Sequence, residues 1–314
     1  MGASVRSGPA LLLILACVPL NARREVSRPS GLSISYSQLN KDCDLSLRWH
    51  RERVARNNIG IFLIYGSALH HGIELFMKRV ARTPNQAVQA ASAYLQREIR
   101  APQRRRLPLQ WELPPETLKD GSISKAKNNY GKLWCQEICD YWLSRQIPLW
   151  IERYGHLEFL RTEHRMFVPM RREEHWKNDW SFEAVLDLEC KGDLICDLKS
   201  TSEPWDEADV KKYSMQAHLY MAAYYVTYGR EPTFKFLVLP RCYDADVCGP
   251  AARLDEFEVK FDLDYSQQII DGVVRPRVNM IEAGIFAANP TSRLCNERWC
   301  PYHYHCKFGS GTHL

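Results

Sequence analysis

The sequence has no apolar run long enough to cross a bilayer. Its one extended candidate, Ala10–Leu20, is too short, and no longer run appears later. It also has little net charge. Lys and Arg total 42 against 37 Asp and Glu, a formal balance of +5, so binding to a polyanion would rest on local patches. Its 11 cysteines are an odd number, which excludes a fully paired disulfide framework. No internal repeat is present. What remains is a chain of 314 residues, 45% apolar, long enough for one large domain or two modest ones.

Residues 1–30 are unlike the rest. Ala10–Leu20 has the form of a signal-peptide apolar region, and Ile14-Leu-Ala-Cys17 has the form of a lipoprotein cleavage box. Export fits poorly with a clustered, odd set of thiols that would oxidise outside the cytosol. The expectation is therefore a cytoplasmic protein with an atypical N-terminal extension, either signal-like or an upstream start. Export and organelle targeting are the competing readings.

The centre of the chain carries the chemistry. Phe182 to Glu189 and Leu194 to Lys199 read as strands joined by a Gly-containing turn. A two-residue turn would put Asp187 and Asp197 on opposite faces. A three-residue loop, Lys191-Gly192-Asp193, pairs Asp187 with Asp197, Leu186 with Leu198 and Leu188 with Cys196. The apolar pairs then share one face, and Asp187, Asp197 and Lys199 share the other. Two carboxylates on one face repel unless a cation lies between them, and oxygen donors favour Mg²⁺ or Mn²⁺. Lys199 would orient a water and stabilise charge on a phosphate. An exposed, solvated hairpin would carry the same pattern.

Glu207 to Tyr228 reads as a helix on which Gln216 and Tyr220 share a face. Their amide and hydroxyl suit a phosphate or a bound water, although an amphipathic helix with a core tyrosine would look alike. Further on, Cys295, Cys300 and Cys306 lie close together in a turn-rich coil, a pattern of metal ligation that lacks a fourth thiol. Cys135 and Cys139 read as core thiols.

The order Asp187, Asp197-x-Lys199, Gln216-x-x-x-Tyr220 resembles the PD-(D/E)XK nuclease superfamily, in its RecB/AddB-type exonuclease branch. That branch carries an upstream Gly-x-x-x-His helix, matched here by Gly66-Ser-Ala-Leu-His70. The resemblance implies that His70 ligates the catalytic metal with Asp187 and Asp197, that the Leu198 carbonyl completes the site, and that Lys199, Gln216 and Tyr220 position water and phosphate. Glu163 resembles the acid often found on the first core strand. The resemblance also supplies the fourth thiol, Cys43, after Ser33-Ile-Ser-Tyr-Ser-Gln-Leu39, and implies a [4Fe-4S] cluster on Cys43, Cys295, Cys300 and Cys306. Four residues separate Cys295 from Cys300, where two are commoner in the branch. Zn²⁺ is the alternative, with His303 and His305 as further donors.

The implied fold is α/β, a restriction-endonuclease-like core with a mixed central sheet flanked by helices. It would span residues 31–314, with a helical insertion at about 80–150 and a Cys-rich segment at 290–314. Helices are expected over Gly60–Arg82, Pro84–Arg100, Asn128–Arg145 and Asp264–Ala287, and further strands over Leu157–Met170 and Phe234–Pro240. The implied function is a metal-dependent DNA exonuclease acting on single-stranded ends, in repair, recombination, or phage- or CRISPR-related processing. The rival is a non-catalytic nucleic-acid-binding module with a structural metal. Candidate DNA contacts are Arg104-Arg105-Arg106, Arg171-Arg172 and Lys211-Lys212, each of which an ordinary solvated face would also explain; Trp176, Trp180 and Trp205 suit base stacking or core and rim packing equally.

Overall fold

A computed structural model describes residues 31–306 apart from 42, 55–58, 105–108, 113–130, 245–248, 293 and 297–299. The readings of residues 1–30, Cys17, Arg105 and Arg106 fall outside them. The N-terminal part runs β1 (Leu32–Ser35), α1 (Tyr36–Leu39), α2 (Asp44–Arg51), β2 (Ile59–Gly60), α3 (Ile61–Met77), α4 (Pro84–Arg104), β3 (Leu109–Gln110) and α5 (Gln136–Tyr154). The core follows with β4 (Phe159–Pro169), β5 (Trp180–Cys190), β6 (Leu194–Thr201), α6 (Glu207–Tyr228), β7 (Thr233–Asp244), β8 (Gly249–Ala252), β9 (Asp255–Val259), α7 (Leu263–Ile269) and α8 (Arg275–Glu282). A π-helical segment, Ile270–Val274, joins α7 to α8, so the long helix expected there is three consecutive pieces.

All strands except β2 and β3 form one mixed sheet. β4 runs antiparallel along almost the whole of β5. The other edge of β5 is shared: β1 pairs in parallel with Trp180–Glu183, and β6 pairs antiparallel with Leu188–Cys190. Between these two partners lies a fork, and Asp187 stands in it. β6, α6 and β7 make a parallel crossover, with Asp197 opposite Phe236 and Lys199 opposite Val238.

Two apolar layers cover the sheet. One packs α6, α7 and α8 against Phe182, Ala184, Leu186, Ile195, Phe234 and Phe236. The other packs α3, α4 and α5 against Leu188, Cys196, Leu198 and Leu237. This mixed sheet between helical layers is the α/β architecture expected from the sequence. Among the described residues, no helix is long and apolar enough to cross a membrane.

Local chemistry explains the elements that carry the site. The β5–β6 turn is the three-residue loop, with Gly192 at φ 80° and Asp193 at φ 60°, and Leu188 faces Cys196. Gly192 takes the left-handed backbone without a Cβ clash. One part of the expectation is corrected. Leu186 does not share a core face with Leu188 and Leu198; it packs in the opposite layer. β5 and β6 diverge past the Leu188–Cys196 pair, and the Asp187 carboxylate accepts the Leu198 N–H at 2.8 Å. Helix α6 starts at Asp206, whose side chain accepts from the Ala208 and Asp209 N–H groups, and ends at Gly229 in the left-handed conformation. Helix α3 approaches α4 closely at Gly72, where a Cβ would lie 2.9 Å from the Ala87 carbonyl oxygen. That contact seats the turn bearing His70.

Candidate active site

Four elements meet at the fork in the sheet. Helix α3 brings His70, β4 brings Glu163, β5 brings Asp187, and β6 brings Asp197 and Lys199. The His70 Nε2–H donates to the Leu198 carbonyl at 3.2 Å. That bond turns the other ring nitrogen inward, with Nδ1 3.7 Å from Asp187 Oδ1 and 3.9 Å from Glu163 Oε1. One donor atom from each of His70, Glu163 and Asp187 lies within 4.8 Å of the others, the one such grouping among the described residues.

Glu163 reaches this position through a strained backbone. Its φ is 49°, and it interrupts the ladder between Thr162–Leu188 and His164–Leu186. A non-glycine residue held there inside a strand costs on the order of 1 kcal/mol, a cost tolerated mainly where surroundings enforce it. The distortion aims a carboxylate at His70 from the position opposite Asp187.

Asp197 is buried and engaged on both oxygens. Lys199 Nζ lies 2.5 Å from Oδ2, and the Gln216 amide donates to Oδ1 at 2.9 Å. Tyr220, one turn further along α6, is buried beside Gln216. The sequence-expected residues His70, Asp187, Asp197, Lys199, Gln216 and Tyr220 therefore converge. Asp197 sits on the lysine side of the fork, outside the close grouping that Glu163 joins.

The charges are tuned by burial and by each other. Burial pushes the Asp187 carboxyl up to about 6, against the opposing pull of His70. Burial alone would lower His70, but Asp187 and then Glu163 outweigh it and carry the imidazole up to about 9. Burial would also lower Lys199, and Asp197 and Asp187 raise it instead, so it stays an ammonium. Burial raises the Tyr220 hydroxyl, and Asp197 adds to the effect. Without a cation, the proton on His70 is what balances the carboxylates. The donors are a nitrogen and carboxylate oxygens, a set suited to a hard divalent ion such as Mg²⁺ or Mn²⁺.

Sequence reasoning missed the aromatic surround. Tyr36, the first residue of α1, is buried and lies close enough to Lys199 and Asp197 to feel their charges. The Tyr213 ring centroid is 5.7 Å from Lys199 Nζ. Its signal was readable, since Tyr213 lies three residues before Gln216 on one helix face. Of the two readings of the tryptophans, packing holds: Trp176, Trp180 and Trp205 are buried. Trp176 donates to Asn279 and Trp180 to Glu282, so these two indoles tie β5 and its approach to α8. Of the candidate basic patches, Arg171, Lys211 and Lys212 are exposed, while Arg172 bonds the Trp176 carbonyl and Asp179.

Away from the fork, the two ends of the described chain meet. Arg277 on α8 pairs with Asp44 and donates to the carbonyls of Leu39 and Lys41, each at 3.2 Å. Leu45 N–H donates to the Ala287 carbonyl at 3.3 Å, and the Trp49 and Tyr302 rings lie 5.7 Å apart. Here Cys43, Cys295, Cys300 and Cys306 share one neighbourhood. Burial raises the Cys295 thiol, and Cys306 and Cys43 raise it further. Burial also raises Cys300, with smaller contributions from the other three thiols. The four thiols are near enough to feel one another's charge, but no three of them bring their sulfurs within 4.8 Å of one another. Cys139, by contrast, is buried in the core against α3 and α4, and Cys135 caps α5.

No curated protein matches the chain. Among solved structures, a candidate exonuclease from Eubacterium rectale superposes with a TM-score of 0.49 at 12% identity, covering 84% of this chain and 86% of that one. A second, SSO0001, gives a TM-score of 0.33 at 10% identity, covering 87% and 95%. The description of one protein family, the PD-(D/E)XK nuclease superfamily, matches residues 33–307. That match runs from β1 to the last of the clustered cysteines and takes in every residue at the fork, and on it the chain belongs to the PD-(D/E)XK nuclease superfamily.

Proposed function

We propose that this nuclease is a metal-dependent DNA exonuclease of the RecB-like type, acting on single-stranded ends. The observation that carries the reading is the fork itself. A histidine and two carboxylates are gathered within 4.8 Å, beside the ion pair of buried Asp197 with part-exposed Lys199. Asp187 and Asp197 would hold Mg²⁺ or Mn²⁺ with His70, Glu163 is a further oxygen donor, and the Leu198 carbonyl borders the site. When bound, such an ion supplies Lewis-acid stabilisation of the phosphate and a more acidic water.

The chain's own groups do the rest. Lys199, charged and held by Asp197, orients the attacking water and meets charge that grows on the phosphate in the transition state. Gln216 fixes the Asp197 carboxylate through its amide. Tyr220, kept protonated by burial, offers a hydroxyl to the scissile phosphate or to Lys199. Repair, recombination, and phage- or CRISPR-related processing are the settings that fit an end-directed nuclease, and a cytoplasmic location fits free thiols.

We further propose that Cys43, Cys295, Cys300 and Cys306 carry a [4Fe-4S] cluster. Their mutual influence, where the two ends of the described chain meet, supports it, and Zn²⁺ is the alternative occupant. Residues 31–314 would then be one nuclease domain with a helical insertion, preceded by an atypical extension.

The test is an assay on end-labelled single strands, duplexes and covalently closed circles with Mg²⁺ or Mn²⁺. Stepwise shortening of single strands is expected, with circles spared and Asp197→Ala inactive. Cleavage inside closed circles would overturn the end requirement. Binding without cleavage under all metals would favour a non-catalytic binding module.

A further inference from the structure

Lys199 is gripped by more than a carboxylate. Its Nζ lies 5.7 Å from the Tyr213 ring centroid and 5.9 Å from that of Phe236. Both distances fall inside the range at which an ammonium is attracted to the negative face of an aromatic ring. The rings come from different elements, Tyr213 from α6 and Phe236 from β7, so the ammonium sits between the helix and the strand of the crossover.

A third ring holds these two in place. Trp205, just before α6, stacks on Tyr213 with centroids 4.7 Å apart and planes 7° from parallel. It also meets Phe236 edge-on at 5.3 Å, while Tyr213 and Phe236 are edge-on at 6.4 Å. Trp205 and Phe236 are buried, and Tyr213 is part-exposed. Each ring contacts the other two, so none can turn without disturbing its neighbours. A lysine side chain has several free torsions, and a salt bridge alone fixes its end poorly. The rings restrict the remaining freedom.

We infer that Trp205, Tyr213 and Phe236 form an aromatic cradle that positions the Lys199 ammonium for the reaction. Tyr213 and Phe236 are the positioning residues, and Trp205 is the wedge that sets their planes. The inference rests on the proposed catalytic role of Lys199. It extends that role by giving a reason for Trp205 just before α6 and for Tyr213 ahead of Gln216 within it.

The experiment replaces Tyr213 with Phe and then with a series of progressively fluorinated phenylalanines. Fluorine drains the ring face of negative charge at nearly constant shape. Tyr213→Phe is expected to keep most of kcat. The series should lower kcat stepwise, by about tenfold at full fluorination, with KM for a single-stranded oligonucleotide nearly unchanged. In metal-free protein, the Lys199 ε-methylene protons should show an upfield ring-current shift that Tyr213→Leu reduces, the remainder coming from Phe236. Equal kcat across the series, or no ring-current shift, would overturn the cradle. If Lys199→Ala retains full activity, it is the catalytic assignment that falls, whereas the ring-current result still reports on the cradle.

Discussion

Replacing Asp187 with asparagine separates what the fork does for stability from what it does for chemistry. The Asp187 side chain is only 15% exposed, and burial carries its carboxyl from an ordinary 3.8 up to about 6. A raised carboxyl is a liability. Below pH 3.8 it is protonated in both folded and unfolded chains, and nothing is lost. Between 3.8 and about 6 the unfolded chain ionises first, and above 6 the full penalty applies. A gap of some two units corresponds to about 3 kcal/mol, taken as a ceiling because Asp187 and His70 titrate together. Asparagine keeps the shape and can still accept the Leu198 N–H, but it carries no charge. In EDTA at pH 8 the variant should therefore melt roughly 5 °C above the parent. The difference should vanish by about pH 4. Mn²⁺ should raise the parent's melting temperature and leave the variant's in place, because the stabilisation follows binding to the folded state. Cleavage should fall by roughly 10²–10³. Calorimetry across pH, with and without Mn²⁺, reads all of this. An asparagine variant that melts below the parent at pH 8, or still responds fully to Mn²⁺, would refute the reasoning.

Other outcomes follow from the same geometry. Lys199→Ala should reduce kcat far more than oligonucleotide affinity, and Lys199→Arg should rescue only in part, since a planar guanidinium does not fit where the ammonium meets Asp197; weakened binding at normal kcat would make Lys199 a phosphate anchor. His70 is held up to about 9 by its carboxylates, so its contribution to metal-free stability should be complete below about pH 6.5 and lost as pH rises through about 9; the gap between parent and His70→Gln should close over that window, and a gap constant in pH would contradict the pairing. Anaerobically purified protein should be brown, and serine at Cys43, Cys295, Cys300 or Cys306 should bleach it and lower its melting temperature; stoichiometric zinc in a colourless protein would replace the cluster but keep the clasp.

Much of the site was legible because its residues follow one another in local patterns. The Asp197-x-Lys199 spacing obeys strand periodicity, and Gln216 and Tyr220 obey helix periodicity. The observed α6 has the expected bounds, Glu207 to Tyr228. The hairpin register was readable because only a three-residue loop brings the acids together. What escaped was long-range. The divergence of β5 from β6, which sends Leu186 into one layer and Leu188 into the other, depends on β1 taking the remaining edge of β5. A four-residue strand at Leu32–Ser35 carries too little pattern to announce that. Glu163 was noticed as an acid on a strand, but its left-handed backbone is imposed from outside and leaves no mark in composition. The tryptophans stay open between stacking and packing in the sequence because residue type alone does not say which indole finds a buried acceptor.

The meeting of the two ends of the described chain has a consequence for how this protein comes into being. β1 contributes four residue pairs to the sheet, and the segment behind it is fastened through Arg277, Asp44 and the Leu45–Ala287 bond. During synthesis the partners of Asp44 and Leu45 lie more than two hundred residues downstream. The central hairpin and α6 can assemble on the ribosome while β1 still has no fastening. β1 meets its own partner, β5, well before α8 is made, but the segment behind it is fastened only when Arg277 and Ala287 have followed.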